Sequence, residues 1–77
     1  MGPHPAMQDR RLILTFARNV RRARQKKQLT QEELAFEAEI DLTYMGGIER
    51  GKRNPSLLVM GRIAKALSVP LMKLLAD

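Results

Sequence analysis

A cluster of cationic side chains directly follows a short segment that contains two adjacent glycines. The segment reads DLTYMGGIERGKRNP and spans residues 41–55, with Arg50, Lys52 and Arg53 near its end. Cationic side chains grouped in this way can bind the phosphates of a nucleic acid. Gly46 and Gly47 need a separate explanation, because each glycine inside a helix costs about 1 kcal/mol relative to alanine.

Charge is distributed unevenly along the 77 residues, whose net charge is +6. Residues 1–27 hold eight Lys/Arg and one acid, residues 28–49 hold six acids and no Lys/Arg, and residues 50–77 hold six Lys/Arg and one acid. Two basic blocks around an acidic one permit a surface that is positive on one side, as in nucleic-acid-binding proteins. Charge alone leaves open the alternative that these residues are solvated helix faces. An anionic membrane surface is a weaker alternative, because no long basic segment presents a face of Trp and Phe.

Residue types that support catalysis or metal binding are scarce. The chain has no cysteine and one histidine, His4, and it has no glycine-rich phosphate loop and no carboxylates at metal-ligand spacing. We therefore expect no enzymatic activity, no metal site and no cofactor. No apolar run approaches the roughly 18 residues of a membrane span, and no signal peptide opens the chain, so the expected location is the cytoplasm.

The chain is short enough for one domain. Its opening, MGPHPAM, combines proline and glycine without any periodicity, and we expect residues 1–9 to be a disordered tail or an expression remnant. The domain then covers residues 10–77. Its first helix is predicted from apolar residues spaced by four, four and three positions, which are Leu12, Phe16, Val20 and Ala23.

Two short helices follow with a tight turn between them. Thr30 and Glu33 have the spacing of a capping box, which predicts a second helix over residues 31–38. Asp41 is a suitable N-cap for a third helix over residues 42–50, and a glycine follows directly. Two helices joined by about three residues form a helix-turn-helix.

The last third of the chain predicts two more helices. Ser56 caps the fourth, whose inward positions are expected to be Leu57, Met60, Ile63, Ala64 and Leu67. A final apolar turn contains Leu71, Leu74 and Leu75. Because no strand pattern or repeat is present, the sequence predicts an all-α domain of five helices.

In the third helix, Met45 and Ile48 are three positions apart and are expected to face the core. The outward side then holds Leu42, Thr43, Gly46 and Gly47. A helix can enter the major groove of DNA, and glycine would permit close approach to the base edges there. The alternative for the glycines is a tight helix–helix contact or a frayed turn.

The motifs together match a known family. The run LTQEELAFEAEIDLTYMGGIERGKRNPSLLVMGRIAKAL, residues 29–67, resembles the repressor/Cro-like helix-turn-helix domains, also called the xenobiotic-response-element family. Within it, LTYMGGIERGKRNPS is similar to the restriction–modification controller proteins, small regulators that bind operators as dimers. The resemblance extends over about residues 12–75, and it implies a five-helix repressor-like bundle whose third helix is the recognition helix.

The resemblance also implies roles for individual residues. It places Leu42, Thr43, Gly46 and Gly47 at the groove, with Thr43 the best candidate for a base contact. It places Gln31 at a phosphate, which agrees with the free amides of a helix N-terminus. The backbone clamp it implies consists of Arg50, Lys52, Arg53 and Asn54. For Tyr44, a phosphate contact and a buried position that closes the core are equally good interpretations.

Leu42 departs from the family pattern, in which many relatives carry a polar side chain at this position. Leucine cannot read a base by hydrogen bonding, so specificity could depend on thymine methyls or on DNA shape. Gly46 also replaces a residue that is often serine in controller-like relatives. Glu49 has two interpretations, and we favour pairing with an arginine of the first helix over exposure beside the DNA.

A symmetric partner would complete such a small DNA-binding domain, since dimers commonly read two half-sites. Apolar residues that could form this interface are Leu58, Val59, Val69, Leu71, Met72 and Leu75. The alternatives are the first helix as the interface and scattered surface apolar residues of no consequence.

The function predicted from the sequence is a homodimeric, sequence-specific regulator of transcription that binds a pseudo-palindromic operator in double-stranded DNA. The resemblance further implies control of a restriction–modification system and association with the bacterial nucleoid. Activation by it would also need a contact with RNA polymerase. The alternative, from another class, is a protein-interaction module on the same fold, such as an antitoxin or a transcriptional bridging factor. RNA binding is less well supported, because one tyrosine and two phenylalanines offer little stacking surface.

Overall fold

A computed structural model describes the backbone of residues 5–77 and the side chains of residues 10–77. Its helices are α1 (Pro5–Lys26), α2 (Gln31–Ala38), α3 (Leu42–Glu49), α4 (Leu57–Leu67) and α5 (Leu71–Leu75). The described residues contain no strand, so the predicted all-α class with five helices is confirmed. Residues 1–4 of the predicted tail lie outside the described residues, and α1 begins at Pro5, before the boundary predicted at residue 10.

The helix-turn-helix forms where the local signals place it. The hydroxyl of Thr30 accepts a hydrogen bond from the amide of Glu33 at 3.0 Å, and the Glu33 carboxylate accepts one from the amide of Thr30 at 2.8 Å. The Asp41 carboxylate likewise accepts from the amide of Tyr44 at 3.2 Å and begins α3. These side chains satisfy amides that the first turn of a helix leaves unpaired, which fixes both helix starts.

Gly51 ends α3 in the left-handed conformation, with a φ of 71°. Its amide donates to the carbonyl of Ile48 at 3.0 Å, and the amide of Lys52 donates to the carbonyl of Gly47 at 2.9 Å. This pair of bonds is the Schellman motif, which closes a helix and turns the chain away from its axis. The turn directs residues 52–54 back toward α3.

The core contains residues from all five helices. Its fully buried larger side chains are Val20, Leu34, Met45, Ile48, Ile63 and Leu67. Two inward positions predicted from the sequence are wrong, because Leu12 is 53% exposed and Leu57 is 67% exposed. Leu57 is the first residue of α4, and no neighbouring helix covers its side chain. Val59 is half-buried and packs against the core, and its place in a dimer interface stays a prediction.

The C-terminal helix is held against α1 by Asn19. Its side-chain amide donates to the carbonyl of Leu74 at 2.9 Å and to the carbonyl of Ala76 at 2.7 Å. These bonds satisfy carbonyls at the end of α5, which has no further turn to receive them. The arrangement fixes the C-terminal third relative to the long first helix.

Gly61 offers a direct test of how the helices are stabilised. It lies inside α4, and a Cβ atom at this position would meet no atom within 4 Å. Gly61→Ala is therefore expected to raise the free energy of unfolding by about 1 kcal/mol, from backbone entropy alone. Thermal unfolding followed by circular dichroism measures this. Gly51→Ala should do the opposite, because φ is positive there and the new Cβ would lie 2.6 Å from Cδ2 of Leu14.

Candidate nucleic-acid interface

Exposed side chains, most of them polar or cationic, lie on the first turn of α3 and on the loop that follows the helix. Thr43 and Leu42 are exposed in the first turn of α3. The loop side chains predicted to bind phosphates are also exposed, and these are Arg50, Lys52, Arg53 and Asn54. The sequence placed these residues on the surface correctly, while their contacts with DNA stay predictions.

Gly46 and Gly47 differ from the sequence expectation, because both are buried. The chain's own side chains cover them. A Cβ at position 46 would lie 3.1 Å from Nη1 of Arg50 and 3.6 Å from Oε1 of Gln31. A Cβ at position 47 would lie 2.8 Å from Cγ of Arg53. In this structure the space that the glycines leave is occupied by arginine and glutamine side chains, so the glycines are not open to solvent.

Tyr44 was expected either to contact a phosphate or to be buried in the core, and the structure shows it partly buried. Its side chain is half-buried and packs against the hydrophobic core. The guanidinium carbon of Arg53 lies 5.8 Å from the centroid of the Tyr44 ring. A cation at this distance is attracted to the negative face of the ring. The ring therefore supports Arg53, and a phosphate contact by the hydroxyl stays a prediction.

Glu49 is paired with an arginine of the first helix, as favoured from the sequence. Its carboxylate accepts from Nε of Arg24 at 2.7 Å and from Nη2 of Arg24 at 3.0 Å. Gln31 adds a third bond, from its Nε2 to Oε1 of Glu49 at 3.0 Å. Three helices, α1, α2 and α3, thus meet at one buried carboxylate. The Glu49 carboxylate is in this way kept away from the surface that carries the cations.

Each of the three guanidinium nitrogens of Arg24 donates a hydrogen bond in this network. Its Nη1 donates to the carbonyl of Leu29 at 2.8 Å, in addition to the two bonds to Glu49. The hydrogen bond to Glu49 raises the pKa of the Arg24 guanidinium above its ordinary range. A base whose pKa is raised on folding stabilises the fold at every pH below its unfolded pKa and loses this effect only above it. The contribution of the Arg24 charge to the stability of the fold is therefore insensitive to pH across the neutral range.

Arg24 and Arg21 both hold α3 in place, and neither was predicted from the sequence to do so. Nη2 of Arg21 donates to the backbone carbonyl of Glu49 at 3.1 Å, at the end of α3. One signal for Arg24 was available, since it lies four positions after Val20 and so on the apolar face of α1. A cation at such a position requires a buried anion as its partner, and Glu49 is the one acid within α3.

The N-terminus of α2, predicted to meet a phosphate through Gln31, is already partly occupied. The capping box uses the amides of Thr30 and Glu33, and the Glu33 carboxylate lies at the same end. The side chain of Gln31 is half-buried and bonded to Glu49. A phosphate contact by Gln31 stays a prediction that would require the amide to act from within this network.

The predicted dimer residues are divided between exposed and half-buried positions. Leu58 and Met72 are each 80% exposed, whereas Val69, Leu71 and Leu75 are half-buried. One of them, Leu75, also lines a shallow apolar groove between α1 and the C-terminal helices, whose other apolar residues are Leu12, Ile13, Phe16, Pro55 and Met60. The first helix and the C-terminal third, which the sequence left as competing interfaces, thus share one groove.

Other kinds of site find no support among the described residues. None of them forms a group of three or more His, Asp or Glu side chains that could hold a metal ion. No helix in the described part of the chain is long and apolar enough to cross a membrane. Every buried side-chain nitrogen and oxygen described has a hydrogen-bond partner, so none is left pointing into a cavity to receive a ligand.

Comparison with known proteins gives a consistent result. A helix-turn-helix family model matches residues 20–74. The control protein C.BamHI of Bacillus amyloliquefaciens is 47% identical over 57 residues, which are 73% of this chain and 70% of that protein. The crystal structure of the restriction-modification controller protein C.AhdI from Aeromonas hydrophila has a TM-score of 0.78 at 40% identity, covering 80% of this chain and 94% of that chain. The hypothetical transcription factor NHTF from Neisseria has a TM-score of 0.83 at 36% identity, covering 86% and 76%.

Proposed function

Given that this chain belongs to the helix-turn-helix family of transcriptional regulators and is closely related to restriction–modification controller proteins, we propose that it binds a two-fold symmetric operator as a homodimer and controls a restriction–modification system. Binding of this kind would place it on chromosomal DNA in the cytoplasm, in the nucleoid. Activation of transcription would add a contact with RNA polymerase.

One observation carries the DNA-binding part of the proposal. Between residues 42 and 76 the chain has a single acid, Glu49. Its side chain is fully buried and paired with Arg24. Residues 42–54 therefore expose three cations and no carboxylate. The nearest acid before them, Asp41, is exposed at the N-cap, where its carboxylate accepts from the amide of Tyr44. Such a surface attracts the phosphate backbone of DNA and releases its counterions, which makes the affinity dependent on salt.

The exposed residues suggest a division of roles. Thr43 stands in the first turn of α3, where its hydroxyl can bond to a base and its methyl can contact a thymine methyl. Arg50, Lys52, Arg53 and Asn54 follow α3, where contacts to phosphate would set its register without reading sequence. Gln31 and Tyr44 would act at the edges of this surface, and Leu42 would contribute an apolar contact.

Two alanine substitutions test this division. Arg53→Ala is expected to weaken binding to every duplex by a similar factor and to lower the slope of log affinity against log salt by about one. Thr43→Ala is expected to relax preference at one position of each half-site, with about 1 kcal/mol of lost discrimination. Fluorescence anisotropy at several salt concentrations measures both effects. If the two variants weakened all duplexes equally, the division of roles would be wrong.

Homodimerisation is proposed from the exposed apolar side chains of the C-terminal third. Leu58 and Met72 are largely in solvent in the single chain, and Leu75 lines a groove of apolar residues between α1 and the C-terminal helices. A two-fold partner that covers both would remove this area from water. It would also present two recognition helices to successive turns of the major groove.

The same exposed side chains favour one alternative, a protein-interaction module that binds a different protein. Gel filtration with light scattering on the pure chain separates the two. A dimer at micromolar concentration agrees with the proposed function. A monomer that binds duplexes weakly and without sequence preference would favour a hetero-partner instead.

A further inference from the structure

The side chain of Arg53 follows an unusual path across the surface of α3. Arg53 lies in the loop after the helix, four residues beyond its last residue, Glu49. Its guanidinium nevertheless reaches the ring of Tyr44, which stands in the first turn. To do so, its aliphatic part passes over Gly47, in the middle of the helix. The side chain therefore lies back along α3, and it stays exposed to solvent on its outer side.

Gly47 makes this path possible. A Cβ atom at position 47 would lie 2.8 Å from Cγ of Arg53, 3.7 Å from its Cδ and 3.5 Å from its Nε. The first of these separations is shorter than any normal carbon–carbon contact, so any side chain at position 47 would displace the arginine. Cγ lies near the root of the side chain, and a displacement there moves the whole guanidinium.

From this geometry we propose that Gly47 is a positioning residue for DNA binding, which acts by seating Arg53 against Tyr44. Glycine at position 47 thus admits the chain's own cation, and close approach of the DNA bases is not its purpose. The inference rests on the proposed function, because it gives Arg53 its role at the phosphate backbone.

The contact of Arg53 with Gly47 and the Tyr44 ring, called the seat of Arg53 here, lowers the entropy cost of ordering Arg53 on DNA. A free arginine side chain loses rotamer entropy when it is fixed. Gly47 and the Tyr44 ring hold the stem and the guanidinium before DNA arrives, so less of this entropy remains to be lost on binding. The same contact fixes the side of α3 on which the charge lies.

Gly46 provides a matched control on the same helix. A Cβ there would lie 3.1 Å from Nη1 of Arg50, which is the far end of a flexible side chain and can move away. Gly46→Ala should therefore leave Arg53 and Tyr44 in place. Gly61→Ala, in α4, controls for the gain in helix propensity.

The first test uses the free protein and does not depend on DNA. Tyr44 is the only tyrosine of the chain, so its ring gives a single set of aromatic NMR signals. Arg53→Ala removes the cation beside the ring and defines the shifted signal positions. Gly47→Ala is expected to move the Tyr44 signals to these positions, while Gly46→Ala and Gly61→Ala leave them unchanged. Tyr44 signals that stay at their wild-type positions in Gly47→Ala would overturn the proposal.

The second test uses DNA and the double variant. Gly47→Ala is expected to weaken operator binding by about tenfold, as for loss of one charge-assisted contact. In the Arg53→Ala background the same substitution should change affinity by less than about twofold, because the side chain that Gly47 positions is already absent. An equal loss in both backgrounds would mean that DNA itself approaches Gly47, and the seat would not be its function. If no duplex is bound specifically, the proposed function fails, and the NMR result still decides whether the seat exists.

A stability measurement covers the case in which Gly47→Ala folds poorly. Removing the Arg53 stem relieves the clash with the new Cβ, so the double variant is expected to melt above Gly47→Ala. A double variant that melts no higher than Gly47→Ala would show that Arg53 does not occupy the seat.

Discussion

Glu49→Ala is expected to lower the free energy of unfolding by about 3 to 5 kcal/mol, the usual cost of leaving one partner of a buried ion pair alone. The Glu49 side chain is fully buried, and the substitution leaves the 14% exposed side chain of Arg24 without its anion. Gln31 loses its acceptor at the same time. Domains of this size have total stabilities of roughly 5 to 15 kcal/mol, so a large part of the population could unfold. Chemical denaturation followed by circular dichroism measures the change.

Two controls separate the buried charge from a general effect of substitution. Arg18→Ala removes the exposed partner of a 3.4 Å ion pair with Asp77 and should change stability by less than about 1 kcal/mol. The double variant Glu49→Leu with Arg24→Met replaces both charges by apolar groups and should recover much of the loss. A Glu49→Ala protein as stable as Arg18→Ala would contradict the network described here.

Leu58→Glu is expected to abolish dimerisation and to reduce operator affinity by at least about a hundredfold, because two linked recognition helices gain that much over one. A carboxylate at an 80% exposed position costs little in the monomer, but at a symmetric interface it would be desolvated close to its own copy. Light scattering reports the mass and anisotropy reports the affinity.

Phe36→Glu is the matched control for this variant. Phe36 is 82% exposed, an equally exposed apolar side chain, and it lies on α2, outside the proposed interface. It should leave the dimer intact. If Phe36→Glu dissociated the dimer and Leu58→Glu did not, the interface would have to be moved to the face of α2.

The sequence predicted the helices well because their boundaries depend on local contacts. Thr30, Glu33, Asp41 and Ser56 each cap a helix by bonding to an amide three residues away, and each such bond was visible as a spacing. The family assignment was also confirmed, since its motifs lie in these same segments.

What the sequence could not supply depends on contacts between distant segments. The partner of Glu49 was expected in α1, but its identity as Arg24, 25 residues away, required the packing of three helices. Leu12 and Leu57 have helical spacing with core residues, yet the bundle does not cover them. The covering of Gly47 depends on a turn at Gly51 that directs Arg53 back over α3. No local rule describes such a path.

The contacts at the C-terminal end of α3 affect both the position of this helix and the charge on its surface. Arg21 and Arg24 of α1 hold its C-terminal end, and Glu49 is drawn into the interior by the same contacts. The network therefore fixes α3 on the bundle and keeps the one carboxylate of α3 away from the surface. The loop after α3 then exposes cations and no carboxylate.

The central claim, that this chain is a dimeric operator-binding regulator, is tested most directly by selection from a randomised duplex pool at near-physiological salt. The expected result is enrichment of a two-fold symmetric motif whose half-sites are about one helical turn, roughly 10 base pairs, apart. Retention of duplexes that weakens with salt but enriches no motif would contradict the claim, because it would leave only non-specific binding to phosphates.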